Sequence, residues 1–310
     1  MMKATVEAFP QAVPLEKSWV AVYSELFKAQ LTLLVLLTTA VGVYVGSPGN
    51  VDYLLMCKAL TGTGLLAAGA AALNQLMERD LDALMRRTRE RPLPSGRLQP
   101  GTVLLIGATT SLIGLATLGF TVNRITCLLG AASLASYLLI YTPMKRISWM
   151  NTLVGAIPGA LPPLMGWTAA RGEITSEGLA LFAILAFWQL PHFMAIAWIY
   201  RDEYARAGFQ MLPMVDPDGH RTGRQAVSHT LALIAVSLCP FLFRLAGPLY
   251  LVGALTLGGI FIACALGFSR QLTIPSARRL FYASILYLPL LLGCHGDRQG
   301  PLISQTAQSI

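Results

Sequence analysis

Charge is what this sequence has least of. Only 12% of its 310 residues are Asp, Glu, Lys or Arg, about half the share of a soluble globular domain. So few charges cannot cover the core that a chain this long would bury, which excludes a wholly soluble fold and makes the lipid bilayer part of the solvent. Cysteine is sparse as well. Cys57, Cys127, Cys239, Cys264 and Cys294 are scattered and odd in number, with neither a metal-knuckle spacing nor the signature of a disulfide framework; they read as small buried hydrophobes. The first 24 residues lack a continuous apolar stretch with a small-residue cleavage site, and they lack arginine, so neither a secretory signal nor an organelle transit sequence is expected. Low-complexity sequence and any separate soluble domain are missing too.

What is present is apolar length. Hydrophobic residues make up 55% of the chain, and a bilayer-spanning helix needs about 20 mostly apolar residues. Nine runs qualify, near 25–46, 53–77, 102–121, 125–142, 149–168, 178–200, 227–246, 248–268 and 279–294, with eight as the lower bound because the last is short. The expected fold is an all-α polytopic membrane protein of about nine transmembrane helices in a bundle around a central cavity. Residues 1–24 are an N-terminal tail and residues 295–310 a C-terminal one. The net charge of +8 does not indicate nucleic acid, because 18 of the 23 Lys and Arg lie in loops on the N-terminal side. That asymmetry puts the N-terminus and the long loops after the second and sixth helices in the cytoplasm.

Both long loops open with polar clusters. Asn74, Glu78 and Asp82 close the second helix at i, i+4 and i+8, one drifting face of an α-helix. Asp80 points elsewhere but sits where a fraying end can turn it inward. Hard oxygen donors at this spacing suit Mg²⁺, which takes one or two carboxylates plus substrate phosphates. Arg86 and Arg91 follow with forked donors for phosphate. A solvated helix end with internal salt bridges is the plain alternative. After the sixth helix come Asp202, Tyr204 and Arg206, which a surface pair between Asp202 and Arg206 would also explain. Emerging on one side, the two clusters can clamp a single diphosphate.

Three further positions carry polar groups near that face. His192, the only histidine well inside a run, is a hydrogen-bonded core residue, a contact for a planar substrate, an iron ligand or a proton acceptor. Lys145 closes the fourth helix beside Tyr141-Thr-Pro143, and positive-inside bias explains it as well as phosphate binding does. Asn151 begins a fifth helix whose Gly155, Pro158, Pro162 and Pro163 suggest either a bent cavity wall or close helix packing.

The string Asn74-x-x-x-Glu78-x-x-x-Asp82 resembles the first motif of UbiA-type intramembrane prenyltransferases. Its continuation through Arg86, Thr88, Arg91 and Pro92, with Leu190-Pro191-His192-Phe193 and Tyr200-Arg201-Asp202-Glu203-Tyr204-Ala-Arg206-Ala-Gly208, resembles the branch that farnesylates heme. Glu78 stands where aspartate is common, Gln210 where that branch often has proline, and Asp202 with Arg206 replaces a full pair of aspartates. The resemblance implies a prenyltransferase membrane domain over residues 25–294, in a bacterial cytoplasmic (inner) membrane. It implies farnesyl transfer from farnesyl diphosphate to a vinyl group of heme b with addition of water, giving heme O, and a heme A synthase as the next partner. Mg²⁺ is the implied cofactor. The implied catalytic residues are Asn74, Glu78, Asp82 and Asp202, with Glu78, Asp82 and Asp202 as metal ligands. Asp80, Arg86, Arg91, Lys145, Asn151, His192, Tyr204 and Arg206 are the implied substrate contacts. Prenylation of a quinone-precursor ring is the rival within the family. Outside it stand a transporter, disfavoured because the carboxylates sit at helix ends rather than the midplane, and a heme-binding assembly factor without catalysis.

Overall fold

The computed structural model describes residues 17–293; Cys294, Lys3, Glu7, Glu16, Arg298 and the tail 295–310 lie outside the described residues. Helices account for nearly all of it. Eight are long and apolar enough to cross a membrane: α1 (Ala29–Gly46), α2 (Tyr53–Asp82), α3 (Pro100–Thr121), α4 (Arg124–Met144), α5 (Asn151–Arg171), α6 (Ser176–Ile199), α7 (His220–Leu242) and α8 (Pro248–Gln271). A ninth, α9 (Ile274–Gly293), packs against α6 and α8. Arg278 and Arg279 lie near its start, so its apolar stretch is shorter than the others. The expected all-helical bundle of about nine helices is therefore found. The α2 helix outruns its apolar stretch by a polar turn, because Asn74, Glu78 and Asp82 are buried and keep it helical to its end.

Small residues set the helix contacts, as bilayer packing without a hydrophobic drive between helices requires. Gly42 on α1 faces Gly166 on α5. A Cβ on Gly42 would overlap the carbonyl oxygen of Pro163, and one on Gly166 that of Thr39. Within α5, Pro162 has no N–H to offer the carbonyl of Pro158 one turn back. Ser133 on α4 supplies the missing donor, Oγ to Pro158 O at 3.2 Å. The prolines of α5 are thus tolerated because a neighbour repairs the ladder.

The α4 helix is α-helical over Arg124–Ala135, widens to a π-helical turn over Ser136–Tyr141 and resumes as α over Thr142–Met144. A π-turn takes up one extra residue within the helix, and the α-helix resumes beyond it. Here it lets Tyr137 and Tyr141 stack with ring centroids 5.6 Å apart. Room for Tyr141 comes from Gly155 on α5, where a Cβ would overlap its ring.

A short helix, Trp19–Leu26, precedes α1. Ser18 caps it, accepting from the Ala21 N–H at 3.3 Å, and Val22 and Leu26 are buried beside Ala72, Leu93, Leu98 and Val103. The chain then turns through Lys28, a non-glycine residue at φ 47°, a left-handed conformation that side chains rarely adopt. On the far side of the bundle, Trp188, Tyr250, Phe261, Phe268 and Tyr287 form the largest apolar core, joining α6 to α9.

Candidate functional site

One cavity of about 420 Å³ opens among α1, α2, α4, α5 and α6, with a polar end at the face where the two long loops lie. Its volume falls in the usual range for a small-molecule site. Its deeper walls are apolar: Leu34, Leu66, Ala70, Leu134, Met165 and Phe193.

At the polar end, α2 supplies three buried side chains. Asn74 is fully buried, Glu78 is 5% exposed and Asp82 1% exposed. Charges taken out of water need partners, and each has one. Lys145 Nζ lies 2.7 Å from Glu78 Oε1, and Arg91 Nη1 lies 2.7 Å from Asp82 Oδ2. Asn74 accepts from Lys28 Nζ at 2.8 Å and donates to Thr142 Oγ1 at 3.1 Å. Arg91 reaches Asp82 because the loop after α2 curls back on itself, with Thr88 Oγ1 donating to Asp82 O at 2.8 Å. Lys145 Nζ also sits 4.5 Å from the Tyr141 ring centroid, and Lys28 Nζ lies 3.5 Å from the Tyr137 hydroxyl. Burial first, then the charges of Lys145 and Arg91, push the Lys28 ammonium down to about 7.

Lys145 and Arg91 thus balance the two carboxylates, and Lys28 adds a third cation when protonated. The positive excess suits a multiply charged anion, and the carboxylates suit a hard cation carried with it. Among the described residues no three His, Cys, Asp or Glu side chains gather closely enough to hold a metal alone. Two carboxylates with substrate oxygens and water make a set that Mg²⁺ accepts.

The rim is built by the second long loop. A short helix, Arg201–Arg206, turns Tyr204 inward onto Met85, Ala207 and Phe209. Arg87 ties the two loops together, with Nη2 donating to the Tyr204 hydroxyl at 3.2 Å and its guanidinium over the Tyr200 ring at 5.1 Å. Asn151 Nδ2 donates to Ser148 O and to Gln210 O, both at 2.7 Å, while Gln210 N donates to Lys145 O at 2.7 Å. Asn151 therefore pins the rim to the segment that carries Lys145, without itself lining the cavity.

Of the residues singled out from sequence, Glu78, Asp82, Arg91, Lys145, His192 and Tyr204 line the cavity, and Asn74 lies behind them. Arg86 is exposed and its neighbour Arg87 lines the pocket in its place. Asp80 points to solvent beside Arg79. Asp202 is 81% exposed, 3.8 Å from Arg201, and Arg206 is exposed too. Both stand on the outer side of the rim helix. Lys28, Arg87, Tyr137 and Tyr141 are site residues that spacing alone did not mark.

A polytopic helical bundle with an apolar cavity, capped at one face by paired carboxylates and cations, is the architecture of an intramembrane enzyme for amphiphilic substrates. The particular family follows from comparison with known proteins: residues 35–288 match the UbiA prenyltransferase family, and the chain belongs to that family. It is 49% identical over 280 residues to the protoheme IX farnesyltransferase of Solibacter usitatus, covering 87% of this chain and 96% of that one. The fold matches a solved digeranylgeranylglyceryl phosphate synthase with a TM-score of 0.76 at 15% identity, over 89% of this chain and 96% of the other. It also matches a UbiA homologue from Archaeoglobus fulgidus bound to DMAPP and Mg²⁺, with a TM-score of 0.64 at 18% identity, over 89% and 99% of the two chains.

Proposed function

We propose that this protein transfers the farnesyl group of farnesyl diphosphate to a vinyl group of heme b, with addition of water, giving heme O and diphosphate. The supporting observation is the cavity itself, an apolar chamber whose polar end carries a cation excess around Glu78 and Asp82. The choice of heme follows the Solibacter relative, similar over nearly the whole chain. Residues 25–294 are the catalytic membrane domain of this reading, and the helix Trp19–Leu26 packs onto it through Val22. The protein lies in a bacterial inner membrane with the N-terminus and the polar end of the cavity toward the cytoplasm, where farnesyl diphosphate is water-accessible. A heme A synthase is the downstream partner of this reading.

Glu78 and Asp82 would hold Mg²⁺ against the diphosphate, and the ion would supply charge neutralisation for the leaving group. Lys145, Arg91, Lys28 and Arg87 bind the diphosphate oxygens, releasing their present carboxylate, amide and hydroxyl partners to do so. Asn74 holds Lys28 in the pocket until the diphosphate takes its place. Once paired with the diphosphate, these donors already face the departing group and need little further reorganisation as negative charge builds on it. The faces of Tyr137 and Tyr141 receive the allylic end, where positive charge develops. The walls of α1, α2 and α5 accept the farnesyl tail and keep water from the reactive carbon. Asp202 and Arg206 stand on the exposed side of the rim helix, turned away from the cavity that Tyr204 lines, so Glu78 and Asp82 carry the metal in this reading. Asp80 and Arg86 lie on the exposed surface and contribute only negative and positive long-range field, respectively.

Purified protein given farnesyl diphosphate, Mg²⁺ and either heme b or a hydroxylated aromatic acid tests the reading. The expected product is heme O, with diphosphate released. Prenylated product from the aromatic acid alone overturns the heme assignment.

A further inference from the structure

Away from the residues assigned to the diphosphate, the cavity wall carries further polar side chains, and two of them share one helix face. Gln189 and His192 are three residues apart on α6 and both line the cavity, the spacing of neighbours on one helix face. Gln189 Nε2 donates to Leu185 O one turn back, at 3.0 Å. This assigns the amide, because a carbonyl can only accept, and it leaves Oε1 as the free end. Opposite it on α5 stands Gly159, where any Cβ would overlap that oxygen.

His192 is held from behind by α9. Ser284 Oγ lies 2.6 Å from Phe281 O and 2.7 Å from His192 Nδ1. The hydroxyl has one proton, and the Phe281 carbonyl can only accept it. Oγ therefore accepts from Nδ1–H, and Nε2 is left without a proton. Trp188 and Phe281 both stack on the imidazole with ring centroids 5.0 Å away, and Trp188 Nε1 donates to Ser284 O at 2.7 Å. Ser284, fully buried, thus fixes the ring, its tautomer and its aromatic neighbour.

We propose that Gln189 Oε1 and His192 Nε2 hold the water that adds to the substrate vinyl group, with Ser284 as their positioning residue. This rests on the heme reading above. A water enters a largely apolar chamber only where polar partners receive it; the hydroxyls of Thr63 and Ser133 line the same cavity on α2 and α4, but Gln189 and His192 offer two acceptors side by side on one helix face. Both water protons are then directed at the wall and an oxygen lone pair faces the chamber. In the reaction, the allylic C–O bond breaks and its electron pair leaves with diphosphate. The vinyl π pair forms the new C–C bond from its terminal carbon, leaving the inner carbon cationic. The water oxygen bonds that carbon, one O–H proton passes to Nε2, and the hydroxyl remains on the product. The imidazolium then returns its proton to the released diphosphate. No oxidant or reductant is needed.

The test is heme-product mass analysis in ¹⁸O-water, comparing wild type with Gln189→Leu, His192→Phe, His192→Gln and Ser284→Ala. Wild type should give product carrying one solvent oxygen. Without the acceptors the cation loses a proton instead, so Gln189→Leu and His192→Phe should lower the ratio of hydrated to anhydrous farnesylated product by about a hundredfold. His192→Gln, which restores an acceptor but not a base, should recover part of it. Ser284→Ala keeps both side chains, lets the tautomer drift and should lower the ratio severalfold, which covers the case in which a cavity variant does not fold. An unchanged ratio in folded Gln189→Leu and Ser284→Ala overturns the water site. So does a folded His192→Phe with an unchanged ratio whose bound heme b differs in absorption spectrum from wild type's, which would make His192 an iron ligand instead. Absence of any heme-derived product from wild type is a different outcome: it overturns the heme reading and this proposal with it.

Discussion

The Lys145–Glu78 pair allows a quantitative test, because it should serve stability and turnover in separable ways. Its N···O distance is 2.7 Å and the two side chains are only 12% and 7% exposed. At an effective dielectric of about 20, the Coulomb attraction at that distance is about 6 kcal/mol. Desolvation of two ions costs several kcal/mol each, so the pair as a whole contributes little net stability. Removing one partner is another matter. Lys145→Met leaves Glu78 buried without its cation and should cost about 3–5 kcal/mol. For a chain of this size that is a Tm lower by roughly 10 °C. Glu78→Gln alone strands the ammonium and should cost a similar amount. The double variant strands nothing, so it should regain most of the lost Tm while turnover stays down by at least about 10²–10³, for want of Lys145 at the leaving group and of the Glu78 carboxylate for the metal. Thermal melts in one detergent and diphosphate release from farnesyl diphosphate provide the two readouts. A double variant no more stable than either single one would refute the pairing, and one with wild-type turnover would refute the assignment of Lys145.

Four other outcomes follow from particular contacts. Gly166→Ala should lower stability by about 1–3 kcal/mol, since its Cβ overlaps Thr39 O; Gly267→Ala on α8, where a Cβ meets only open space, should be neutral or stabilising in the same melt. Asn151→Ala leaves Gln210 O without its side-chain donor and should cost about 1–3 kcal/mol, with hydrogen exchange accelerated across residues 208–213. Arg87→Ala should weaken turnover more than Arg86→Ala, because only Arg87 lines the cavity; equal effects would count against the rim geometry. Lys28 titrates near 7, so at pH 8 it is mostly neutral, and a bound diphosphate favours its charged form. Binding should then take up protons at pH 8, seen by calorimetry in buffers of different ionisation enthalpy, and Lys28→Met should abolish the uptake.

The spans were legible because lipid imposes a length, and the first acidic cluster because an α-helix turns a fixed angle per residue. Where the chain leaves the helix, that ruler ends. Arg86 and Arg87 are indistinguishable by spacing, since which of them faces inward depends on how the loop folds back on Asp82. Lys28 carries no signal beyond positive-inside bias, and its left-handed backbone is visible only in three dimensions. Asp202 and Arg206 stand four apart as they would on any helix, and spacing says nothing of which side of that helix meets the cavity. The tautomer of His192 is set by Ser284, 92 residues away, on a helix with no motif at all.

The π-turn in α4 also bears on how this chain can vary. Each α-helical residue advances about 100° around the axis. The π-turn takes up one more residue than an α-turn over about the same rotation, so deleting one residue between 136 and 141 would restore an ordinary helix and leave Lys145 still facing Glu78. An insertion there has no such slack and would swing Lys145 about a quarter-turn away. Homologues that keep Lys145 opposite Glu78 should therefore show a one-residue gap in this stretch more readily than an insertion, the π-turn lapsing where the gap falls.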